Sequence, residues 1–314
     1  MRSFSILGDS ISTFDGCNPD GFAVYYQGER CEQTGVTSSA DTWWSQVIER
    51  LGGRLLANSS FSGSLVEGAG FPAGNSQERI DALAEDGVQP DVVIVFMGIN
   101  DYGWGGATAQ AAGRGNAVPV ALDLDAIEPH APAAAAPGAI DRFRAAYGLL
   151  LERMRAAYPQ AEVWCCTLCP GRVAGCPSPT FAWNLRGAPF KSYNDAIRAA
   201  AREHGCNVAD LEAFGIDYEA VDGTHPTARG MRQLSVLIAS KVPNPMNDCC
   251  PPTCSTKRFA PGSYVPARHA SDASMPAEPG AAGFSYANGI RPNSSGEVVP
   301  TASDTKQDRS YFSA

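Results

Sequence analysis

Ser10, Asp222 and His225 are the residue types from which a nucleophilic site is built, and each stands where a short apolar segment gives way to a loop. Ser10 follows the run Phe4 to Leu7 across Gly8 and Asp9, so a hydroxyl and an acid are displayed on a glycine turn close to the first residue. A serine at its free pKa is a weak nucleophile and needs an adjacent base. Histidine is the base suited to neutral pH, and a carboxylate fixes its tautomer. The stretch "DGTHP" carries both, with Asp222 just ahead of His225. An oxyanion developing on a carbonyl needs donors aimed at it in advance. Gly63 in "NSSFSGS" and Asn100 in "GINDYGWGG" are the candidate donors. The chemistry open to this set is acyl transfer.

Each piece also has a plain structural reading. Gly8-Asp9-Ser10 can be an ordinary turn, Asn100-Asp101 an Asx turn, and Gly63 a residue needed only for its backbone angle. Asp222 and His225 can mark the entry to a helix with Pro226 in its first turn. Elimination separates the histidines. Of the four in the chain, His130 lies in a Pro/Ala-rich stretch, His204 at a helix C-terminus where its charge would suit the dipole, and His269 in the C-terminal tail. Only His225 follows an expected core strand with a carboxylate beside it.

The elements that must position these residues are legible as alternating strands and helices. Strands are expected at residues 3–7, at Leu55 to Ala57, in "DVVIVFM", in "EVWCCTL" and in "CNVADL". The uninterrupted apolar run of the third is the mark of a strand buried on both faces. Between them, Asp41 reads as the N-cap of a helix carrying Trp43, Trp44, Val47, Ile48 and Leu51. Further helices are expected at 77–86, from Ile140 to Met154, in "FKSYNDAIRAAAREHG" closed by Gly205, and just after Pro226. Such alternation predicts an α/β fold, a five-stranded parallel sheet with helices on both faces. In open sheets of this kind ligands bind beyond the carboxyl ends of the strands. Ser10, Gly63, Asn100 and the Asp222–His225 pair all follow expected strands and so share one rim.

Composition sets the outer limits. The chain has 314 residues, 44% of them apolar and 18% charged, with a formal charge of −9. The acidic balance, with no basic stripe, argues against a nucleic-acid partner. No stretch reaches the length of a membrane span. The first residues carry no pattern of an export signal, so a cytoplasmic location is expected, with most of the ten cysteines reduced. A Gly/Ala/Pro-rich insertion at about 103–138 is long for a connection and reads as a site-covering loop. Packed sequence ends near residue 243. The Pro-, Ser- and Cys-rich tail at 244–314 is expected to be extended or disordered.

Gly8-Asp9-Ser10, the Asn58 to Gly63 segment, Gly98-Ile99-Asn100-Asp101 and Asp222-Gly223-Thr224-His225 resemble, in order and spacing, the four sequence blocks of the SGNH, or GDSL, hydrolase family. "SYNDAIRA" is similar to the helix preceding the last strand in that family. The resemblance implies a flavodoxin-like three-layer α/β/α sandwich over residues 1–243 and hydrolysis through an acyl-enzyme. It makes Ser10 the nucleophile, His225 the general base and Asp222 its orienting partner. The backbone N–H groups of Ser10 and Gly63 and the Asn100 side chain become the oxyanion hole, with Asp9 shaping the turn. No cofactor or metal is implied. The 103–138 insertion and the tail depart from the family pattern.

Two sets of residues stay open at the sequence level. Cys166 and Cys169 form a C-x-x-C that belongs either to a buried strand or to redox or metal chemistry. Cys249, Cys250 and Cys254 could join Cys169 or Cys176 around a metal, without histidine spacing to support it. Trp104 and Trp183 lie near the expected rim and either stack on a sugar ring or cover the core. The leading expectation is an esterase removing a small acyl group, such as acetyl, from a small-molecule or carbohydrate-like alcohol. The alternatives are a lysophospholipase or thioesterase for longer acyl chains, and a non-catalytic carbohydrate- or metal-binding module.

Overall fold

The computed structural model describes residues 1–103, 138–175 and 188–243. Trp104, Trp183, Cys176, His130, nearly all of the 103–138 insertion and the 244–314 tail lie outside the described residues. Five parallel strands form the central sheet: β1 (Ser3–Gly8), β2 (Arg54–Asn58), β3 (Val92–Phe96), β4 (Glu162–Cys166) and β6 (Asn207–Ala209). Their order across the sheet is β2-β1-β3-β4-β6. The chain therefore steps outward from β1 in one direction and from β3 in the other, the doubly wound arrangement of flavodoxin-like proteins.

Burial explains why these segments are strands and where they sit. Every residue of β1 and β3 is buried, as the continuous apolar runs require of strands covered on both faces. The outer strands β2 and β6 carry exposed or half-buried residues at their starts. The short α1 (Glu29–Thr34) lies in the long connection that follows β1. Helices cover the sheet in two groups. α2 (Trp43–Arg50) packs against α7 (Ala228–Ala239), and α5 (Ala139–Ala157) packs against α6 (Phe190–Glu203) and the short α3 (Gln77–Asp81). With the sheet between them these form three layers, α/β/α. Among the described residues no helix is long and apolar enough to cross a membrane.

Several boundaries differ from the sequence reading, each for a local reason. The helix expected at 77–86 ends at Asp81, where the chain tightens into turns from Leu83 N–H to Ile80 O and Ala84 N–H to Asp81 O. A tight turn bridging Glu85 and Val88 follows, in which Asp86 and Gly87 take positive φ values of 49° and 77°. Thr42, not Asp41, caps α2, its hydroxyl accepting from the Ser45 N–H. Asp41 instead completes a capping box with Ser38 on the preceding turn. A second parallel pair, β5 (Gly171–Val173) with β7 (Tyr218–Ala220), was not expected. It places the chain that leads to Asp222 beside the end of β4.

Register brings the functional loops to one edge. Gly8 lies opposite Phe96 in the β1–β3 ladder, so the residues after each strand, Asp9-Ser10 and Gly98 to Asn100, leave the sheet side by side. This is the point where the strand order reverses, the place where such sheets bind ligands.

Candidate active site

Ser10 opens a single 3₁₀ turn, Ser10–Ser12, and its placement begins with Asp9. The Asp9 carboxylate caps that turn by accepting from the Ile11 N–H at 3.1 Å. Thr13 closes it, its hydroxyl donating to Ser10 O at 2.9 Å. Ser12 is held from three directions. The indole N–H of Trp43 donates to its hydroxyl, and Trp44 Nε1 and Asn58 Nδ2 donate to its carbonyl at 3.0 and 2.9 Å. The two tryptophans are thus core residues that also anchor the serine turn, a role with no signature in the sequence.

The imidazole comes from the far end of the chain. Asp222 Oδ1 accepts from the backbone N–H groups of Thr224 (2.9 Å) and His225 (2.7 Å), an Asx-type turn that folds the loop back on itself. The same carboxylate turns its second oxygen to His225 Nδ1 at 2.7 Å, and His225 Nε2 lies 2.9 Å from Ser10 Oγ. A carboxylate only accepts, so Nδ1 carries the ring proton and Nε2 is free to accept from the serine hydroxyl. Burial raises the Asp222 carboxyl, but the charge of His225 and the hydrogen bonds from His225 and Thr224 outweigh it and leave it below its ordinary range. Ser10, Asp222 and His225 are each less than a tenth exposed, so this line of groups is shielded from competing water.

Tyr25 backs the imidazole. Its ring lies parallel to that of His225, with centroids 3.5 Å apart and planes within 2°. The Arg30 Cζ sits 4.4 Å from the Tyr25 centroid. Burial, followed by the nearby Asp222 charge, raises the phenol, which stays neutral. Tyr25 was not singled out from sequence; nothing in "FAVYYQG" distinguishes a stacking tyrosine from a core one.

Gly63 and Asn100 are joined through one residue. Asn100 Nδ2 donates to Ser64 O at 3.0 Å, which commits one amide proton to orientation and leaves the other. Gly63 has φ of +80°, a conformation that favours glycine. Among the described residues, neither the Ser10 nor the Gly63 N–H has a hydrogen-bond acceptor. The loop around Gly63 is docked onto the serine strand by Phe61 N–H donating to Gly8 O at 3.2 Å. Asp101, next to Asn100, accepts from the N–H groups of Val66 (2.9 Å) and Glu67 (3.3 Å). Tyr193, in the "SYND" stretch, donates its hydroxyl to Asp101 O at 3.0 Å. The start of α4 (Ile99–Tyr102) is made possible by Gly98, whose φ of +121° is closed to most side chains and where a Cβ would press on the Phe143 ring at 3.1 Å.

The acidic neighbour of the serine behaves differently from Asp222. Asp9 is fully enclosed, and burial is the largest effect on it, with the nearby Asp101 charge adding to it. The Ile11 N–H and the Arg79 charge act the other way, and the result is a carboxyl raised to about 7. Cys166 and Cys169 are both buried, the Cys169 thiol donating to Ile216 O at 3.2 Å. Among the described residues no three His, Cys, Asp or Glu side chains are grouped to hold a metal.

The model of the GDSL-like Lipase/Acylhydrolase family matches residues 6–233, a span that includes both Ser10 and His225. No curated protein matches the sequence. Among solved structures, the chain is similar to a candidate GDSL-like lipase from Bacteroides ovatus at 27% identity, covering 76% of this chain and 97% of that one with a TM-score of 0.49. It is also similar to a second such candidate from Bacteroides uniformis at 24% identity, covering 77% and 95% of the two chains with a TM-score of 0.50.

Proposed function

Because the chain belongs to the GDSL-like lipase/acylhydrolase family, we propose that it hydrolyses a small acyl ester, acetyl foremost, on a carbohydrate-like alcohol through an acyl-enzyme at Ser10. The observation that carries this reading is the unbroken line from Asp222 through His225 to Ser10 Oγ. As Oγ bonds to the ester carbon, its proton passes to His225 Nε2 and the carbonyl oxygen becomes an oxyanion. The N–H groups of Ser10 and Gly63 and the amide of Asn100 receive that charge. Collapse expels the alcohol, which leaves with the proton from Nε2. Water then repeats the sequence on the acyl-serine, releasing the carboxylic acid and restoring Ser10. Asp222 holds the imidazole in the productive tautomer and balances the imidazolium that forms. Residues 1–243 form the catalytic unit in this proposal, with 244–314 appended to it.

The alcohol side of the substrate is assigned to the segments that flank the serine. Phe22, Phe61 and Phe71 meet in a three-ring group with centroids 5.2–5.6 Å apart, and Phe71 is 45% exposed. Phe61 lies on the Gly63 loop, and Phe22 on the segment that carries Tyr25. Aromatic faces of this kind suit the apolar face of a sugar ring. They would equally seat a long acyl chain, which keeps the lysophospholipase or thioesterase reading as the second one.

Hydrolysis of p-nitrophenyl acetate, p-nitrophenyl octanoate and an acetylated sugar by the wild type, Ser10→Ala and Phe71→Ala tests both readings. The proposal expects acetate to be the faster ester, Ser10→Ala to abolish release from each, and Phe71→Ala to weaken turnover of an acetylated sugar without affecting acetate. Octanoate turning over faster, with Phe71→Ala acting on octanoate alone, would favour the second reading. Activity surviving in Ser10→Ala would overturn the acyl-enzyme.

A further inference from the structure

Arg79 is a fully enclosed cation, with 0% of its surface exposed. It lies on α3, the single short helix after the Gly63 loop, where Ser76 caps the first turn. A guanidinium has five N–H donors in a fixed fork, and all five are engaged here. Nε donates to Ser59 O at 3.0 Å, and Nη2 donates to Ser59 O and Gly8 O, each at 2.6 Å. Nη1 donates to Ser64 Oγ at 3.1 Å and to Pro72 O at 2.7 Å. Every one of these acceptors is a neutral oxygen.

That choice of partners is physically unusual. A buried cation is costly unless its surroundings compensate it, and desolvation lowers the Arg79 guanidinium to about 9, against the opposing pull of the Asp9 charge. The compensation comes from oxygens converging from three separate segments. Gly8 is the last residue of β1, two before Ser10. Ser59 and Ser64 bracket Gly63, and Ser64 is also the residue whose carbonyl receives Asn100 Nδ2. Pro72 belongs to the return of the same loop. One rigid planar group thus spans the serine strand and both ends of the segment bearing an oxyanion donor.

Resting on the acyl-enzyme reading above, we propose that Arg79 is the positioning residue of the oxyanion site, setting the distance between the Ser10 and Gly63 N–H groups by gripping Gly8 and the 59–64 segment together. Arg79 touches no reacting atom; it acts through the backbone that carries them. Geometry of this kind governs rate, since a displacement of about 1 Å in a site can cost on the order of 100-fold. A lysine in its place keeps the charge but offers three donors from one point and cannot fork across three segments.

The test is Arg79→Lys, with wild type and Ser10→Ala alongside, on p-nitrophenyl acetate. The expected result is a folded protein whose kcat and kcat/KM fall together by roughly 10- to 100-fold with KM little changed, the pattern of an interaction lost only in the transition state. Inhibition by phenylboronic acid, which becomes tetrahedral on the serine and directs an oxygen to the oxyanion site, should weaken by a similar factor. A lower melting temperature with kcat and boronate inhibition unchanged would show that Arg79 serves the fold alone and overturn the proposal. If Arg79→Lys does not fold, Ser64→Ala decides the matter. It removes the Arg79 grip and the bond that the same hydroxyl donates to Phe61 O at 2.9 Å, but leaves the backbone. A fall in kcat at constant KM, with boronate inhibition weakened in proportion, supports the proposal and an unchanged kcat overturns it. Failure of the underlying reading is distinguishable, since it would show as turnover in Ser10→Ala.

Discussion

Exchanging Asp222 for asparagine would separate the two jobs of this side chain. Oδ1 accepts from the backbone N–H groups of Thr224 and His225, and an amide oxygen can keep both bonds. Oδ2 accepts from His225 Nδ1 at 2.7 Å. With its oxygen retained by the loop, the substituted amide would present its NH2 to Nδ1. Nδ1 would then have to accept, Nε2 would carry the ring proton, and the bond now made at 2.9 Å from Ser10 to Nε2 would reverse. The serine would lose its base while the loop kept its shape. The same exchange in a serine protease triad costs about 10,000-fold in kcat, equivalent to roughly 5.5 kcal/mol at about 1.36 kcal/mol per factor of ten. We expect a loss of that order in kcat for p-nitrophenyl acetate, with a melting temperature close to that of the wild type. Asp222→Ala should lose activity as well and also melt lower, because the two backbone donors are then left unpaired. If Asp222→Asn kept activity within about tenfold of wild type while folded, Asp222 would not be setting the tautomer and the reasoning would fail.

Two further outcomes are expected. Asn100→Ala should lower kcat by about 100- to 1000-fold, the usual cost of one oxyanion donor, and an unchanged kcat would remove Asn100 from the oxyanion site. Asp9→Asn should stabilise the protein, relative to wild type, increasingly as pH rises. The wild-type carboxyl is raised from 3.8 to about 7 by burial, so between roughly pH 4 and 7 the folded state binds more protons than the unfolded one and stability declines as pH rises. The full effect is roughly 4 kcal/mol at about 1.36 kcal/mol per factor of ten. Melting curves of both proteins at about pH 4 and pH 8 read most of it, and a difference independent of pH would contradict the assignment.

Much of the fold could be read in one dimension because its signals are local. The all-apolar run of β3 and the helical spacing from Ile140 to Met154 each report their burial through neighbouring residues. Boundaries were less legible where turn geometry took over, as between Ala82 and Val88, where tight turns replace the second half of the helix expected there. The pair β5–β7 was invisible because each strand is three residues long with a charged residue, Arg172 or Glu219, at its centre, so neither shows an apolar run.

The candidate site divides along the same line. Residue types and their order nominate the groups proposed to react. A serine, a glycine and an asparagine follow strands of the parallel sheet, whose parallel run puts such positions at one end. The acid–histidine pair follows β7 of the separate two-stranded sheet. How those groups are held emerges only once the chain has folded. Tyr25 lies flat on His225, Trp43 and Trp44 hold Ser12, and Arg79 collects carbonyls from Gly8, Ser59 and Pro72. Each of these contacts joins segments with no periodic relation to one another. A buried arginine or a stacked tyrosine leaves the same letter in the chain as an exposed one, and its role exists only once the distant acceptor or ring has been brought to it.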